Sequence, residues 1–115
     1  MNTTKIYLIG YRCTGKTTVG KLLAQKLKWH FVDTDHYIEK DQGQRISKII
    51  EQFDWSYFRQ LETSALHECG TASSPVVIST GGGIILDPEN RSFIKNTGYC
   101  VWLTADADTI LKRLG

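Results

Sequence analysis

The chain has 115 residues, 41% of them hydrophobic and 23% charged, enough for one globular domain and too few for a multidomain machine. Its 14 lysines and arginines stand against 12 acidic residues, a net charge of +2. That balance excludes a protein whose affinity rests on a nucleic-acid backbone or an anionic membrane surface.

The first residues run straight into Ile6-Tyr-Leu-Ile9, with no apolar core or small-residue cleavage site of a signal peptide. No stretch approaches the roughly 20 apolar residues of a membrane span. Cys13, Cys69 and Cys100 are odd in number, far apart and without metal-ligand spacing, so they read as reduced thiols of a cytoplasmic protein.

In chain order, Ile6–Ile9 is a short apolar run predicting a buried strand that ends at Gly10. From Lys16 the period becomes helical, with Val19, Leu22, Leu23 and Leu27 on one face and Lys21, Gln25 and Lys28 opposite. His30–Asp33 predicts a second strand. Ile46, Ile49, Ile50 and Phe53 repeat at helical spacing, and Asp54 is placed to cap a further helix. That helix carries a stripe of Phe58, Leu61, Ala65 and Cys69, and Gly70 is read as its stop. Pro75–Ile78 predicts a third strand, leading into Ser79-Thr80 and the triplet Gly81-Gly82-Gly83. Asp87-Pro88 opens a short helix that Gly98 ends, and Tyr99–Leu103 predicts a fourth strand. A last helix starts near Asp106. Alternating strands and helices predict an α/β fold with a mainly parallel sheet, as one domain over 1–115. Ligands of such sheets bind at the carboxyl ends of the strands, where all the chemical motifs fall.

Gly10-Tyr-Arg-Cys-Thr-Gly15-Lys16-Thr17 matches the phosphate-binding pattern G-x-x-x-x-G-K-[ST], between a strand and an amphipathic helix. Backbone N–H groups from Gly10 through Cys13, Thr14 and Gly15 would face phosphate oxygens, and the helix adds its positive end. Lys16 would reach the β- and γ-phosphates, Thr17 would ligate Mg²⁺, and Thr18 lies where it would touch the α-phosphate. Cys13 reads as a small loop residue that acts through its backbone. The motif announces a nucleoside triphosphate without saying what is done with it.

Asp33-Thr-Asp35 sets two carboxylates at a strand's carboxyl end. They share a side while the chain is extended and diverge if a helix begins at Thr34 or Asp35. One could then hold metal-bound water while the other accepts a hydroxyl proton; the bland reading is a helix cap. Arg59 and Glu62, at i, i+3, are either a weak surface ion pair or a guanidinium aimed by a carboxylate at a substrate's acid group. Three successive glycines after a buried strand cost backbone entropy unless something must approach closely, which suggests backbone N–H groups contacting a ligand; the bland reading is a turn.

Together, the phosphate loop, Phe31-Val-Asp33-Thr-Asp35-His-Tyr-Ile-Glu39, Phe58-Arg59-Gln-Leu-Glu62 and Thr80-Gly81-Gly82-Gly83 resemble the shikimate kinase family in order and spacing. The resemblance implies a three-layer α/β/α P-loop fold and ATP-dependent phosphorylation of the 3-hydroxyl of shikimate, a step toward chorismate and aromatic amino acids. It implies Lys16 and Asp35 as catalytic residues, with Asp35 holding the hydroxyl and taking its proton. Arg59 would grip the carboxylate, Gly81, Gly82 and Gly83 would line the substrate site, and Glu62 would orient Arg59. Asp33 would contact Mg²⁺ through water, and Arg113 matches a basic residue near the phosphates. ATP and shikimate are the implied partners, and the complete protein is expected to be monomeric. The family's arginine-proline lid, later substrate arginine and last strand have no counterpart before Gly115. A core cut before its lid is therefore expected, with weak ATP binding and poor turnover. The rival readings are a P-loop kinase acting on gluconate or a nucleotide, and a non-catalytic module binding ATP or shikimate.

Overall fold

Strand β1 (Lys5–Gly10) sends its side chains alternately into two cores, one on each face of the sheet. Tyr7 and Ile9 join Leu66, Cys69, Val76, Ile78, Ile84 and Ile94, whereas Leu8 joins Val19, Ala24 and Val77. A strand apolar on both faces belongs in the middle of a parallel sheet. The computed structural model describes residues 5–10, 16–71, 75–81 and 83–103, with the side chains of 16, 17 and 103 left aside.

After β1 come α1 (Lys16–Leu27), β2 (His30–Asp33), α2 (Thr34–Gln42), α3 (Ile46–Gln52) and α4 (Trp55–Thr71). β3 (Val76–Ser79), a 3₁₀ turn (Ile84–Leu86), α5 (Pro88–Thr97) and β4 (Tyr99–Leu103) follow. The described strands form one parallel sheet in the order β2-β3-β1-β4. Helix α1 covers the Leu8 face, and α4 and α5 cover the Tyr7 face, giving the expected three layers. Outside α4, Ile38 of α2 and Ile49 of α3 close a third cluster with Phe58 and Ala65.

Local chemistry sets the helix starts. Asp33 caps α2, accepting hydrogen bonds from the N–H groups of Asp35 and His36 at 2.9 and 3.3 Å. Asp54 accepts from Tyr57 N–H at 2.8 Å at the head of α4. Asp87 accepts from Glu89 N–H at 2.9 Å, with Pro88 at the first helical position of α5. β4 pairs with β1 alone among the described strands, and Tyr99, Val101 and Trp102 on it are exposed.

Three expectations are corrected. The face of α1 turned to the sheet carries Val19 and Ala24, with Leu23 partly buried, while Leu22 and Leu27 are exposed. Small residues let the helix sit close to the sheet, and the larger leucines are displaced to its flank. Phe53 lies just past α3 and is exposed, stacked on Tyr57 with ring centroids 4.3 Å apart. Gly70 does not stop α4, which runs on to Thr71. A Cβ there would lie 2.4 Å from the Tyr7 hydroxyl and 2.5 Å from the Phe93 ring, so this glycine permits close packing within the helix. The loop residues 11–15, Gly82, and the helix expected from Asp106 with Arg113 lie outside the described residues.

Candidate active site

Parallel register brings the carboxyl ends of three strands to one level, since Leu8 and Asp33 both pair with Ser79. β1 ends at Gly10, whose φ of 147° is a conformation side-chain-bearing residues rarely adopt. Helix α1 then begins at Lys16 with no acidic residue in its first turn, which leaves its positive end suited to an anion. The Thr18 side chain is exposed on that turn. Cys13, Thr14, Gly15 and the side chains of Lys16 and Thr17 fall outside the described set.

Helix α2 starts at Thr34, so the two carboxylates diverge. Asp33 spends one oxygen on capping. Asp35, in the first turn, turns its buried Oδ1 toward Gly81, where a Cβ would lie only 2.6 Å away. Thr34 between them is fully buried, and its hydroxyl accepts a 2.9 Å hydrogen bond from Gly81 N–H.

On α4, Arg59 Nη1 donates to Glu62 Oε1 at 2.5 Å. This is no surface pair: the Glu62 side chain is 2% exposed and the Arg59 side chain 40%. Burial pushes the Glu62 carboxyl above its ordinary value, the Arg59 hydrogen bond and charge pull it back, and the nearby Asp35 charge adds to the rise. The guanidinium also lies over the Trp55 ring, 5.1 Å from its centroid.

The glycines serve approach. A Cβ on Gly81 would also stand 2.7 Å from Glu62 Oε2, and one on Gly83 would fall 1.6 Å from Arg59 Nη1. Asp35, Glu62 and Arg59 can gather round this loop only because it lacks side chains. The arrangement sets one carboxylate, Asp35, and one guanidinium, Arg59 held by Glu62, at the strand ends from which the phosphate motif also starts.

The family model for shikimate kinase matches residues 12–115. The chain belongs to the shikimate kinase family. It is 45% identical to "Shikimate kinase 2" of Photorhabdus laumondii over 109 residues, which is 95% of this chain and 62% of that one. It is 44% identical to the shikimate kinase of Persephonella marina over 108 residues, 94% of this chain and 65% of that one. Among solved structures, a shikimate kinase from Acinetobacter baumannii in complex with shikimate superposes with a TM-score of 0.86 at 39% identity, covering 97% of this chain and 62% of that one. The chain thus spans less than two thirds of the length of these members of the family.

Magnesium, which the family resemblance implies, is tested by the donor set. Mg²⁺ holds most of its shell as water and phosphate oxygen and needs only one or two protein oxygens. Asp33, a carboxylate at the end of β2 level with Leu8, two residues before the phosphate motif, is a donor of that kind. Among the described residues, no three His, Cys, Asp or Glu gather into a metal cage. The residues fit a cation carried by the nucleotide.

Two contributors to this site escape the sequence pattern. Thr34 stands in the motif as a letter between two acids, and nothing in its spacing shows that it holds Gly81. Asn90 is 3% exposed inside α5 and donates to Thr63 Oγ1 at 3.2 Å and to the Ile84 carbonyl at 3.1 Å. A poor helix former four residues before the buried Ile94 was the available signal.

Proposed function

We propose that this chain is the single-domain nucleotide- and substrate-binding core of a cytoplasmic shikimate kinase, monomeric in its complete form and acting toward chorismate. Its reaction is transfer of the γ-phosphoryl group of ATP to the 3-hydroxyl of shikimate. The observation that carries this reading is the joint placement of Asp35, the Arg59–Glu62 pair and Gly81 and Gly83 around one loop. Membership of the family and the shikimate complex of the Acinetobacter relative support it.

Phosphoryl transfer needs alignment and charge neutralisation more than covalent help from the protein. Arg59, aimed by Glu62, binds the shikimate carboxylate as a fork. That grip turns the 3-hydroxyl toward Asp35, which holds it and accepts its proton as the oxygen attacks phosphorus. The glycine loop, Gly82 included, lines the substrate without bulk. Gly10 to Gly15 cradle the phosphates through backbone N–H groups, with Cys13 and Thr14 contributing theirs, Lys16 reaches the transferred group, Thr18 touches the α-phosphate, and Arg113 adds charge nearby. Thr17 and, through water, Asp33 would hold Mg²⁺, which when bound neutralises charge on the phosphates.

Calorimetric titration with shikimate and with Mg²⁺–ADP, alongside a coupled assay offering shikimate, gluconate and nucleoside monophosphates, tests the proposal. Saturable binding of shikimate alone among the acceptors is expected. Preference for another acceptor would overturn it.

A further inference from the structure

The glycine loop is pinned by two side chains, one at its start and one just past its end. At its start, Gly81 N–H donates to the buried Thr34 hydroxyl at 2.9 Å. Just past its end, the Ile84 carbonyl accepts from Asn90 Nδ2 at 3.1 Å, and the same amide nitrogen ties to Thr63 of α4 at 3.2 Å. Between the two pins, Ile84 N–H donates to the Gly81 carbonyl at 3.2 Å. Thr34 stands next to Asp35 on α2, and Thr63 stands next to Glu62 on α4. The pins therefore join the loop to the two helices that carry the reactive groups.

Neither pin is what stability alone selects. Asn90 is buried with its Oδ1 lacking a hydrogen-bond partner among the described residues, an arrangement that costs stability. It also sits inside a helix, where asparagine is a poor former. Thr34 is β-branched, fully buried and polar. What both supply is position. Gly83 stands so close to the Arg59 guanidinium, and Gly81 to Asp35 and Glu62, that a loop shift of half an ångström would change the seat of all three.

We propose that Thr34 and Asn90 are positioning residues that clamp the glycine loop against Asp35 and the Arg59–Glu62 pair, setting acceptor affinity without touching the acceptor. This rests on the reading of the site as one for shikimate, so the test has one readout that needs no ligand. Amide hydrogen exchange is followed at Gly81, Gly83 and Ile84 in the protein and in Thr34→Val, Thr34→Ser and Asn90→Asp. Shikimate and Mg²⁺–ADP are titrated into each. Thr34→Val removes the acceptor at nearly equal volume, and Asn90→Asp turns a donor toward the Ile84 carbonyl into an acceptor.

The expected result is faster exchange at the loop and about tenfold weaker shikimate binding in Thr34→Val and Asn90→Asp, with ADP affinity within about twofold of the parent. Thr34→Ser, which keeps the hydroxyl, restores both. A merely structural role would weaken shikimate and ADP together, in step with lost thermal stability, and that outcome overturns the clamp. So does unchanged loop exchange in Thr34→Val or Asn90→Asp. If the parent chain itself fails to bind shikimate, the functional reading falls, while loop exchange still decides the clamp; if Thr34→Val does not fold, Asn90→Asp and Thr34→Ser carry the test.

Discussion

Arg59 and Glu62 form an ion pair across a burial boundary: the guanidinium of a 40% exposed side chain donates at 2.5 Å to a carboxylate that is 2% exposed. Burying a carboxylate is costly unless it is well paired, so the pair serves poorly as a stabilising device. It serves well as an aiming device. Glu62 cannot move, and the arginine it holds keeps an outer side toward solvent.

Glu62→Gln separates these two roles. The amide keeps the shape but loses the charge that fixes the guanidinium, and it ends the cost of a buried anion. Shikimate affinity is expected to fall about tenfold, with thermal stability unchanged or raised. Calorimetry and thermal unfolding of the same sample check it. A variant that binds normally would remove the aiming role.

Glu62 also predicts a pH signature. Its folded carboxyl titrates above the ordinary value of 4.5, chiefly because it is buried. Between the two values the native state holds a proton that the unfolded state has released. Stability from this group is therefore full below the ordinary value and is lost as pH rises through the raised one. Shikimate binding should run the other way, strengthening as Glu62 ionises and fixes Arg59. Denaturation curves across this window should fall with pH more steeply in the parent than in Glu62→Gln. Equal slopes would contradict the assignment.

How far the sequence alone reaches is clear from these residues. The i, i+3 spacing of Arg59 and Glu62 was plain, but spacing does not say which side of α4 faces the core, so a surface pair remained an open reading. The Asp33–Asp35 pair had the same character: its meaning turned on where α2 begins, which the cap at Asp33 decides. Strands β1 to β4 were legible because four apolar runs end at turn residues. The α1 face is not legible in this way, because large leucines look like a core whereas a helix lying tight on a sheet buries small residues. Asn90 was invisible as a pin, since its partners lie 27 and 6 positions away on other elements.

Gly83→Ala and Gly81→Ala should differ in kind. The Cβ at position 83 meets the guanidinium of part-exposed Arg59, which is expected to rotate so that another of its N–H groups keeps Glu62 paired, at little cost to folding. Shikimate affinity should drop at least about tenfold while the melting temperature moves by no more than about 2 °C. At position 81 the new Cβ meets Glu62, which is buried and held, so about 1–3 kcal/mol of stability should be lost as well. Unfolding and binding measured on both variants decide it; equal stability losses would refute the distinction.

The cysteines should react in order. Cys69 is 8% exposed, and burial raises its thiol to about 11, with the Glu68 charge adding to the rise. Cys100 is exposed on β4, and partial burial also raises its thiol. Only the thiolate reacts, so of these two described thiols a maleimide at pH 8 should label Cys100 before Cys69, and Cys69 only as the protein opens. Peptide mapping by mass spectrometry reads the order, and early labelling of Cys69 would contradict the burial.

Gly70→Ala sets two physical effects against each other. Alanine is the better helix former by about 1 kcal/mol, and a helix-terminating glycine away from neighbours would lose little on substitution. Inside α4, though, the added methyl would stand 2.4 Å from the Tyr7 hydroxyl and 2.5 and 2.8 Å from the Phe93 ring. Tyr7 cannot yield freely, because it is fully buried and its hydroxyl bonds Thr97 at 2.6 Å. Phe93 is stacked on His67 with centroids 4.0 Å apart. Relief therefore requires α4 to lift from β1 and α5, which forfeits contacts in the larger core. A net loss of about 1–3 kcal/mol is expected in urea denaturation, overpacking outweighing propensity. Because α4 carries Arg59 and Glu62 at its other end, shikimate affinity should fall in proportion to the displacement. A more stable variant would mean that the added methyl is accommodated without lifting α4, and would refute the close-packing role of Gly70.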